Sequence, residues 1–142
     1  MNIENRLEVL KRYFGYDSFR LSQSQVIERT LVNKSSLVIM PTGGGKSLCY
    51  QLPAIMREGL TIVVSPLIAL MQDQVASLEQ NGISAKALNS ACSSEQESRI
   101  KQLAVSGELK LLYVSPERAV SFGFLQWVRN INIAQIAIDE AH

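Results

Sequence analysis

Residues 41–47 read Pro-Thr-Gly-Gly-Gly-Lys-Ser, a sequence that could bind a phosphate group. Three consecutive glycines allow backbone N–H groups to turn inward around phosphate oxygens. The Lys46 ammonium could reach the β- and γ-phosphates of a nucleotide, and the Ser47 hydroxyl could ligate Mg²⁺. The alternative is a plain glycine-rich turn, but an apolar run before the loop and a helical pattern after it favour a Walker A loop. The predicted phosphate-binding residues are Thr42, Gly43, Gly44, Gly45, Lys46 and Ser47.

Two adjacent carboxylates, Asp139 and Glu140, follow an apolar run at the other end of the sequence. A carboxylate at the end of a buried strand can hold Mg²⁺, usually through water, and Asp139 is the predicted metal residue beside Ser47. Glu140 could orient and deprotonate an attacking water, so Lys46 and Glu140 are the predicted catalytic residues. An isolated Asp-Glu pair is often a solvated turn. Together with the phosphate loop, it predicts hydrolysis of a nucleoside triphosphate.

Strands that alternate with helices would position these residues. Short apolar or β-prone runs predict strands at 36–40, 60–65, 84–90, 109–115 and 134–139. Helix-length segments separate most of them, which favours an α/β fold with a parallel sheet and helices on both faces. In such sheets ligands bind at the carboxyl ends of the strands, so we expect both motifs at one edge. Gly59 is the predicted C-cap of the helix that begins near Lys46, and Ser93-Ser94 is a predicted helix start.

Composition limits the possible classes of protein. The chain has 142 residues, of which 46% are hydrophobic and 19% charged, so we expect a domain with a real core. Its net charge of +1 gives no electrostatic indication of nucleic-acid binding. Cys49 and Cys92 lack metal-ligand spacing, which predicts reduced thiols and no zinc site. With no signal peptide and no membrane-length apolar run, we expect a soluble cytosolic protein with no membrane association.

Several segments resemble the RecQ DNA helicases of superfamily 2, and the resemblance covers nearly the whole chain. They are GYDSFRLSQSQVI at 15–27, MPTGGGKSLCYQLPA at 40–54, VVSPLIALMQDQV at 63–75, LLYVSPER at 111–118 and DEAH at 139–142. The resemblance implies a RecA-like P-loop domain that is truncated after the strand before Asp139. It would comprise an adenine-recognition helical segment at 1–34 and a P-loop α/β core at 35–142.

The resemblance also implies an adenine site formed by Tyr16, Arg20 and Gln23. A tyrosine ring and an arginine plane can stack on a purine, and a glutamine amide can pair with adenine N6 and N7. The residue types alone would instead suggest a core tyrosine and a solvated glutamine.

In the family, loops at strand ends contact the backbone of single-stranded DNA. By type, the candidate phosphate donors in this chain are Ser65, Ser90, Ser115 and Arg118. The alternatives are that Ser-Pro simply starts a turn and that Arg118 pairs with Glu117 or Asp139.

The function implied is that of an ATP-dependent DNA helicase, which uses ATP and Mg²⁺ to translocate on single-stranded DNA and unwind duplexes. The alternatives are an RNA helicase of the DEAD or DEAH type and a non-enzymatic nucleotide-binding remnant. The family's arginine finger comes from a second RecA-like domain, so we expect the chain alone to be inactive. We also expect one side of its sheet to be uncovered.

Overall fold

The computed structural model describes residues 5–20, 23–31 and 46–139. They belong to two compact units, one within residues 1–58 and the other within residues 59–142. The predicted strand at 36–40, Thr42 and the three glycines of the predicted phosphate loop, and Glu140 lie outside the described residues. The predicted boundary between residues 34 and 35 lies outside them too and stays a prediction.

The described part of the first unit is helical. Its elements are α1 (Arg6–Val9), which continues as a π-helical segment (Leu10–Phe14), α2 (Gln23–Leu31) and α3 (Leu48–Met56). Gln23, Ile27 and Leu31 are buried along α2 at a spacing of four residues, which places them on one face of the helix. Ile27 and Leu31 pack in one apolar cluster with Leu10, Leu48 and Leu52, so this cluster joins α2, α3 and the π-helical segment.

The second unit contains a four-stranded parallel sheet with the strand order β2-β3-β1-β4. In chain order its elements are β1 (Leu60–Val64), α4 (Ile68–Gln80), β2 (Ala85–Leu88), α5 (Ser94–Ser106), β3 (Leu111–Val114), α6 (Pro116–Ala119), α7 (Phe122–Val128) and β4 (Ile133–Ile138). This confirms the predicted α/β class and parallel sheet. β1 is paired on both sides, which fits its apolar sequence Leu-Thr-Ile-Val-Val.

The helices lie on both faces of this sheet. The connection from β1 to β2 crosses the sheet in one direction. The connections from β2 to β3 and from β3 to β4 cross it in the opposite direction. Right-handed crossovers therefore place α4 on one face and α5, α6 and α7 on the other. The largest cluster of the second unit agrees, because Ile100 of α5 and Phe124 of α7 pack with Ile62, Leu88 and Leu112 of the strands.

Helix α5 begins where the sequence predicted. Ser93 is its N-cap: the Ser93 hydroxyl accepts a hydrogen bond from the Gln96 backbone N–H at 3.2 Å. The Gln96 side chain in turn accepts from the Ser93 N–H at 2.9 Å, which completes a capping box. Gly107 ends the helix in the left-handed conformation. Local sequence therefore sets both ends of the helix that covers β2 and β3.

The prediction that Gly59 caps α3 is wrong. Helix α3 ends at Met56, and Arg57 is its C-cap in an extended conformation. Gly59 has a φ of +103°, and a Cβ there would lie 2.8 Å from the Asn132 carbonyl oxygen. The neighbouring Leu60 N–H donates to that same oxygen at 2.8 Å. The glycine is needed because the chain passes close to Asn132 where β1 begins to pair with β4.

Strand β4 carries an apolar strip formed by Ile136 and Ile138. Their register partners are Ile62 and Val64 of β1, so they lie on the sheet face that α5 and α7 cover elsewhere. Both isoleucines are nevertheless exposed. This agrees with the expectation of an uncovered side of the sheet.

Gly59→Ala is expected to destabilise the chain more than Gly82→Ala. Gly82 also has a positive φ, +82°, but no atom lies within 4 Å of the position its Cβ would take. Both variants incur the backbone cost of about 1 kcal/mol, and only Gly59→Ala adds the clash with Asn132. Urea denaturation compares the two unfolding free energies. Equal losses would contradict the role assigned to the close approach.

Cys49 is expected to resist alkylation in the folded chain at pH 8. Burial raises the pKa of its thiol from 9.0 to about 11, so roughly one molecule in a thousand carries the thiolate. Cys92, which is only partly buried, is expected to react first. Because the folded pKa is raised, this thiol's contribution to stability is present below pH 9 and is lost as the pH rises towards 11. Peptide mass spectrometry after iodoacetamide treatment measures both rates, with urea-unfolded chain as the control. Equal rates in the folded chain would contradict the burial of Cys49.

Candidate functional site

Lys46 and Ser47 immediately precede α3. Ser47 has helical dihedral angles and its carbonyl accepts from the Gln51 N–H at 3.0 Å, while the Lys46 carbonyl accepts from the Cys49 N–H at 3.0 Å. The Ser47 side chain makes no capping hydrogen bond to the helix. Both residues therefore lie at the positive N-terminal end of a nine-residue helix, as the phosphate-loop motif requires.

The three predicted adenine residues belong to the first unit. Tyr16 is 56% exposed and Arg20 is exposed, whereas Gln23 is only 3% exposed. The Gln23 side-chain oxygen accepts from the Arg20 backbone N–H at 2.7 Å, and the Gln23 N–H donates to the Arg20 carbonyl at 3.0 Å. The interpretation from residue type alone is thus wrong for both Tyr16 and Gln23. Tyr16 thus offers an exposed ring, whereas Gln23 is buried and its amide oxygen is held by the Arg20 backbone.

The second unit brings the remaining described candidates to one edge of its sheet. Each strand ends at a polar residue or a polar loop, and because the strands are parallel these ends lie side by side. In spatial order they are Asn89-Ser90 after β2, Ser115 after β3, Ser65 after β1 and Asp139 after β4. These four positions agree with the predicted carboxyl ends of the strands, whereas the expectation that the loop at 41–47 shares this edge stays a prediction.

One peptide group, between Val64 and Ser65, joins three of these strand ends. The Val64 carbonyl accepts from the Asp139 N–H at 2.9 Å, and the Ser65 N–H donates to the Val114 carbonyl at 3.0 Å. Asp139 is buried. Ser65 is 1% exposed, and its hydroxyl has no hydrogen-bond partner among the described residues. The Ser65 side chain does not face solvent, so the structure does not support its contact with a nucleic acid.

Arg118 is the third residue of α6, and Ser115 is the N-cap of this helix. The Ser115 hydroxyl accepts from the Arg118 backbone N–H at 3.3 Å and so caps this short helix. The Arg118 guanidinium forms an ion pair with Glu97 of α5. The two pairings considered from the sequence, with Glu117 and with Asp139, are therefore wrong. Sequence reasoning missed Glu97 because it lies 21 residues from Arg118 and only the packing of α5 beside α6 brings them together.

Asn89 is a second residue that sequence reasoning missed. It is buried, and its side-chain oxygen accepts from the Ala91 N–H at 2.8 Å. The Asn89 carbonyl also accepts from the Cys92 N–H at 3.1 Å. These bonds close the turn that leaves Ser90 exposed at the sheet edge. The Asn-Ser pair was an available signal, because asparagine often bonds the backbone two residues ahead.

The described residues contain no group of three or more His, Cys, Asp or Glu side chains that could hold a metal ion. The two metal residues predicted from the sequence, Ser47 and Asp139, carry oxygen donors of the kind that Mg²⁺ prefers. Cys49 and Cys92 are free thiols. Among the helices within the described ranges, none is both long and apolar enough to cross a membrane.

Comparison with known proteins now identifies the family. A family model described as DEAD/DEAH box helicase matches residues 20–142. The ATP-dependent DNA helicase RecQ of Haemophilus influenzae is 52% identical over 136 residues, which is 96% of this chain and 22% of the relative. The protein of that name from Bacillus subtilis is 47% identical over 135 residues, 94% of this chain and 23% of the relative. The ATP-dependent DNA helicase Q-like 5 of Arabidopsis thaliana is 41% identical over 140 residues, 98% of this chain and 15% of the relative.

The alignments with the two RecQ relatives cover nearly the whole of this chain. The chain itself spans only about a fifth of the length of those relatives. The resemblance to RecQ helicases predicted from the motifs is confirmed, and the parallel sheet flanked by helices is consistent with part of a RecA-like domain. The family match covers well over half of the sequence, and the chain therefore belongs to the DEAD/DEAH box helicase family.

Proposed function

We propose that this chain forms the ATP-binding part, and a portion of the DNA-binding surface, of an ATP-dependent DNA helicase that translocates on single-stranded DNA and unwinds duplexes. The observation that carries the proposal is the common edge of the sheet in the second unit. There a buried carboxylate, Asp139, lies at the end of β4, on one side of β1. On the other side of β1, Ser115 follows β3 and Ser90 lies in the loop after β2. The reaction and the nucleic acid are those in the names of the relatives, which are ATP-dependent DNA helicases.

The nucleotide-binding roles follow from side-chain chemistry. Lys46 would neutralise charge on the β- and γ-phosphates, and the backbone of Thr42, Gly43, Gly44 and Gly45 would donate to phosphate oxygens. Ser47 and Asp139 would provide oxygen ligands for Mg²⁺, Asp139 through water, and the ion would spread the negative charge of the phosphates. Glu140 would accept a proton from the attacking water.

Adenine recognition would depend on Tyr16, Arg20 and Gln23. The exposed Tyr16 ring offers a face on which a purine can stack. The hydrogen bond from the Arg20 N–H fixes the orientation of the Gln23 amide. A side chain that is already ordered loses less conformational entropy when it pairs with a base. An amide that both donates and accepts matches adenine N6 and N7 and not the corresponding edge of guanine.

Contact with DNA phosphates is proposed for Ser90, Ser115 and Arg118. Ser90 is exposed, and Arg118 retains guanidinium nitrogens beyond the one that contacts Glu97. Ser115 caps α6 and so positions the turn that carries Arg118. Ser65 stays a prediction without structural support, because its side chain is buried.

An RNA helicase is the second candidate, because the family description covers DEAD/DEAH proteins in general. The relatives at 45–52% identity over 94–98% of this chain are all named DNA helicases. The deciding measurement is ATPase stimulation of the whole protein that contains this chain, by oligo-dT against oligo-rU of equal length. Stronger stimulation by oligo-rU would overturn the choice of DNA. A non-enzymatic nucleotide-binding remnant would show no stimulation by either. The inactivity of the 142-residue chain alone stays a prediction.

Gln23→Ala is expected to reduce the preference for ATP over GTP. The substitution removes the proposed hydrogen-bond pair to adenine, which is worth about 1–3 kcal/mol, and leaves the phosphate loop unchanged. Calorimetry of ATP and GTP binding measures the effect. Gln25→Ala, at an exposed position of the same helix, is the matched control. Circular dichroism checks α2, because Gln23 also bonds Arg20. Equal affinity of the unsubstituted protein for the two nucleotides would refute the adenine site.

Lys46→Ala and Glu140→Gln are expected to impair different steps in the whole protein. Lys46→Ala removes the ammonium charge that would neutralise the triphosphate, so it should weaken ATP binding and abolish turnover. Glu140→Gln should retain ATP binding and lose hydrolysis, because an amide cannot accept the proton of the attacking water. Nucleotide titration and steady-state ATPase assays separate the two effects. Near-normal turnover by the Glu140→Gln protein would exclude Glu140 as the base.

A further inference from the structure

Glu97 contacts one end of the Arg118 side chain and leaves the rest of that guanidinium available. Arginine has five N–H donors in a planar fork. The terminal nitrogen Nη1 contacts the Glu97 carboxylate, and among the described residues no partner contacts the other guanidinium nitrogens. Both side chains remain partly accessible, at 29% for Arg118 and 26% for Glu97. The ion pair therefore orients the fork without using all of its donors.

Neighbouring groups fix the two partners of this ion pair. On α5, Lys101 lies one turn after Glu97, with 4.0 Å between its Nζ and the Glu97 Oε1. The same Nζ lies 5.7 Å from the centre of the Trp127 ring, which packs against the core cluster. On the other side, the Ser115 hydroxyl holds the Arg118 backbone N–H, and the Ser121 hydroxyl donates to the Arg118 carbonyl at 2.8 Å. The two hydroxyls fix the Arg118 backbone, and the ion pair with Glu97 restricts the rotamers of its side chain. The restricted side chain therefore loses less entropy when Arg118 binds a ligand.

We propose that Glu97 is a positioning residue for nucleic-acid binding, which orients the Arg118 guanidinium so that its remaining donors face a phosphate of the single strand. The inference rests on the proposed function, since it assigns the orientation of one of its phosphate contacts. Glu97 lies outside the sequence motif at 111–118 that contains Arg118.

General electrostatics predicts the opposite effect for a substitution of Glu97. Removing a carboxylate makes the surface more positive, which strengthens binding of a polyanion when no other role exists. Loss of a positioning residue weakens binding despite the favourable change in charge. The sign of the effect thus separates the two explanations.

The test uses the whole protein that contains this chain and a fluorescently labelled oligo-dT, with affinity measured by anisotropy at several salt concentrations. Glu97→Ala is expected to weaken binding about 3- to 10-fold. The slope of log affinity against log salt should decrease by about 0.7, the contribution of one phosphate contact on a single strand. Glu95→Ala removes an equal charge from an exposed position of the same helix and should leave the affinity unchanged or raise it slightly.

Two further variants connect the effect to Arg118. Arg118→Ala alone should weaken binding to a similar extent, and adding Glu97→Ala to it should cause no further loss. Glu97→Gln keeps an acceptor oxygen for the guanidinium and should retain most of the affinity, which guards against a fold defect in the alanine variant.

Three results would overturn the inference. One is unchanged or tighter binding by Glu97→Ala, and another is an equal loss from Glu97→Ala in the presence and absence of Arg118. In both cases the protein still binds DNA, so the proposed function stands. The third is absence of DNA binding by the unsubstituted protein, which would refute the proposed function together with this inference.

Discussion

The pairing of β1 with strands on both sides determines where the candidate residues of the second unit lie. It pairs in parallel with both β3 and β4, and the register with β4 is regular from Thr61 to Val64. A parallel arrangement aligns the carboxyl ends of the strands, so polar residues far apart in sequence become neighbours at one edge. Breaking this pairing would separate Ser65, Ser115 and Asp139 from one another without altering any of the three side chains.

The sequence was sufficient for features that depend on local pattern. Apolar runs bounded by turns marked β1, β3 and β4, and alternation of strands with helices implied the parallel sheet. Ser93 marked the start of α5, because a serine hydroxyl three residues before Gln96 satisfies an end of the helix that would otherwise lack partners. The predicted helix start near Lys46 lies two residues before the observed start of α3 at Leu48.

Features that depend on tertiary contacts were not accessible from the sequence. Gly59 reads as a helix cap because glycine is common there, yet the approach of Asn132, 73 positions later, is what requires it. The ion pair of Arg118 with Glu97 depends on the packing of two helices, and the nearer Glu117 was a reasonable but incorrect choice. Gln23 lies on the buried face of α2 with Ile27 and Leu31, and a buried amide is tolerated there because the Arg20 backbone is its hydrogen-bond partner.

The peptide group between Val64 and Ser65 provides a direct mechanical connection across the sheet edge. Its carbonyl accepts from the Asp139 N–H, and its N–H donates to the Val114 carbonyl. One rigid planar group therefore bonds both the end of β4, at Asp139, and the end of β3, which leads to Ser115. A rotation of that plane would alter both hydrogen bonds at once. A substitution that tilts this plane would therefore disturb the ends of β3 and β4 together, even if it left the side chains of Ser115 and Asp139 unchanged.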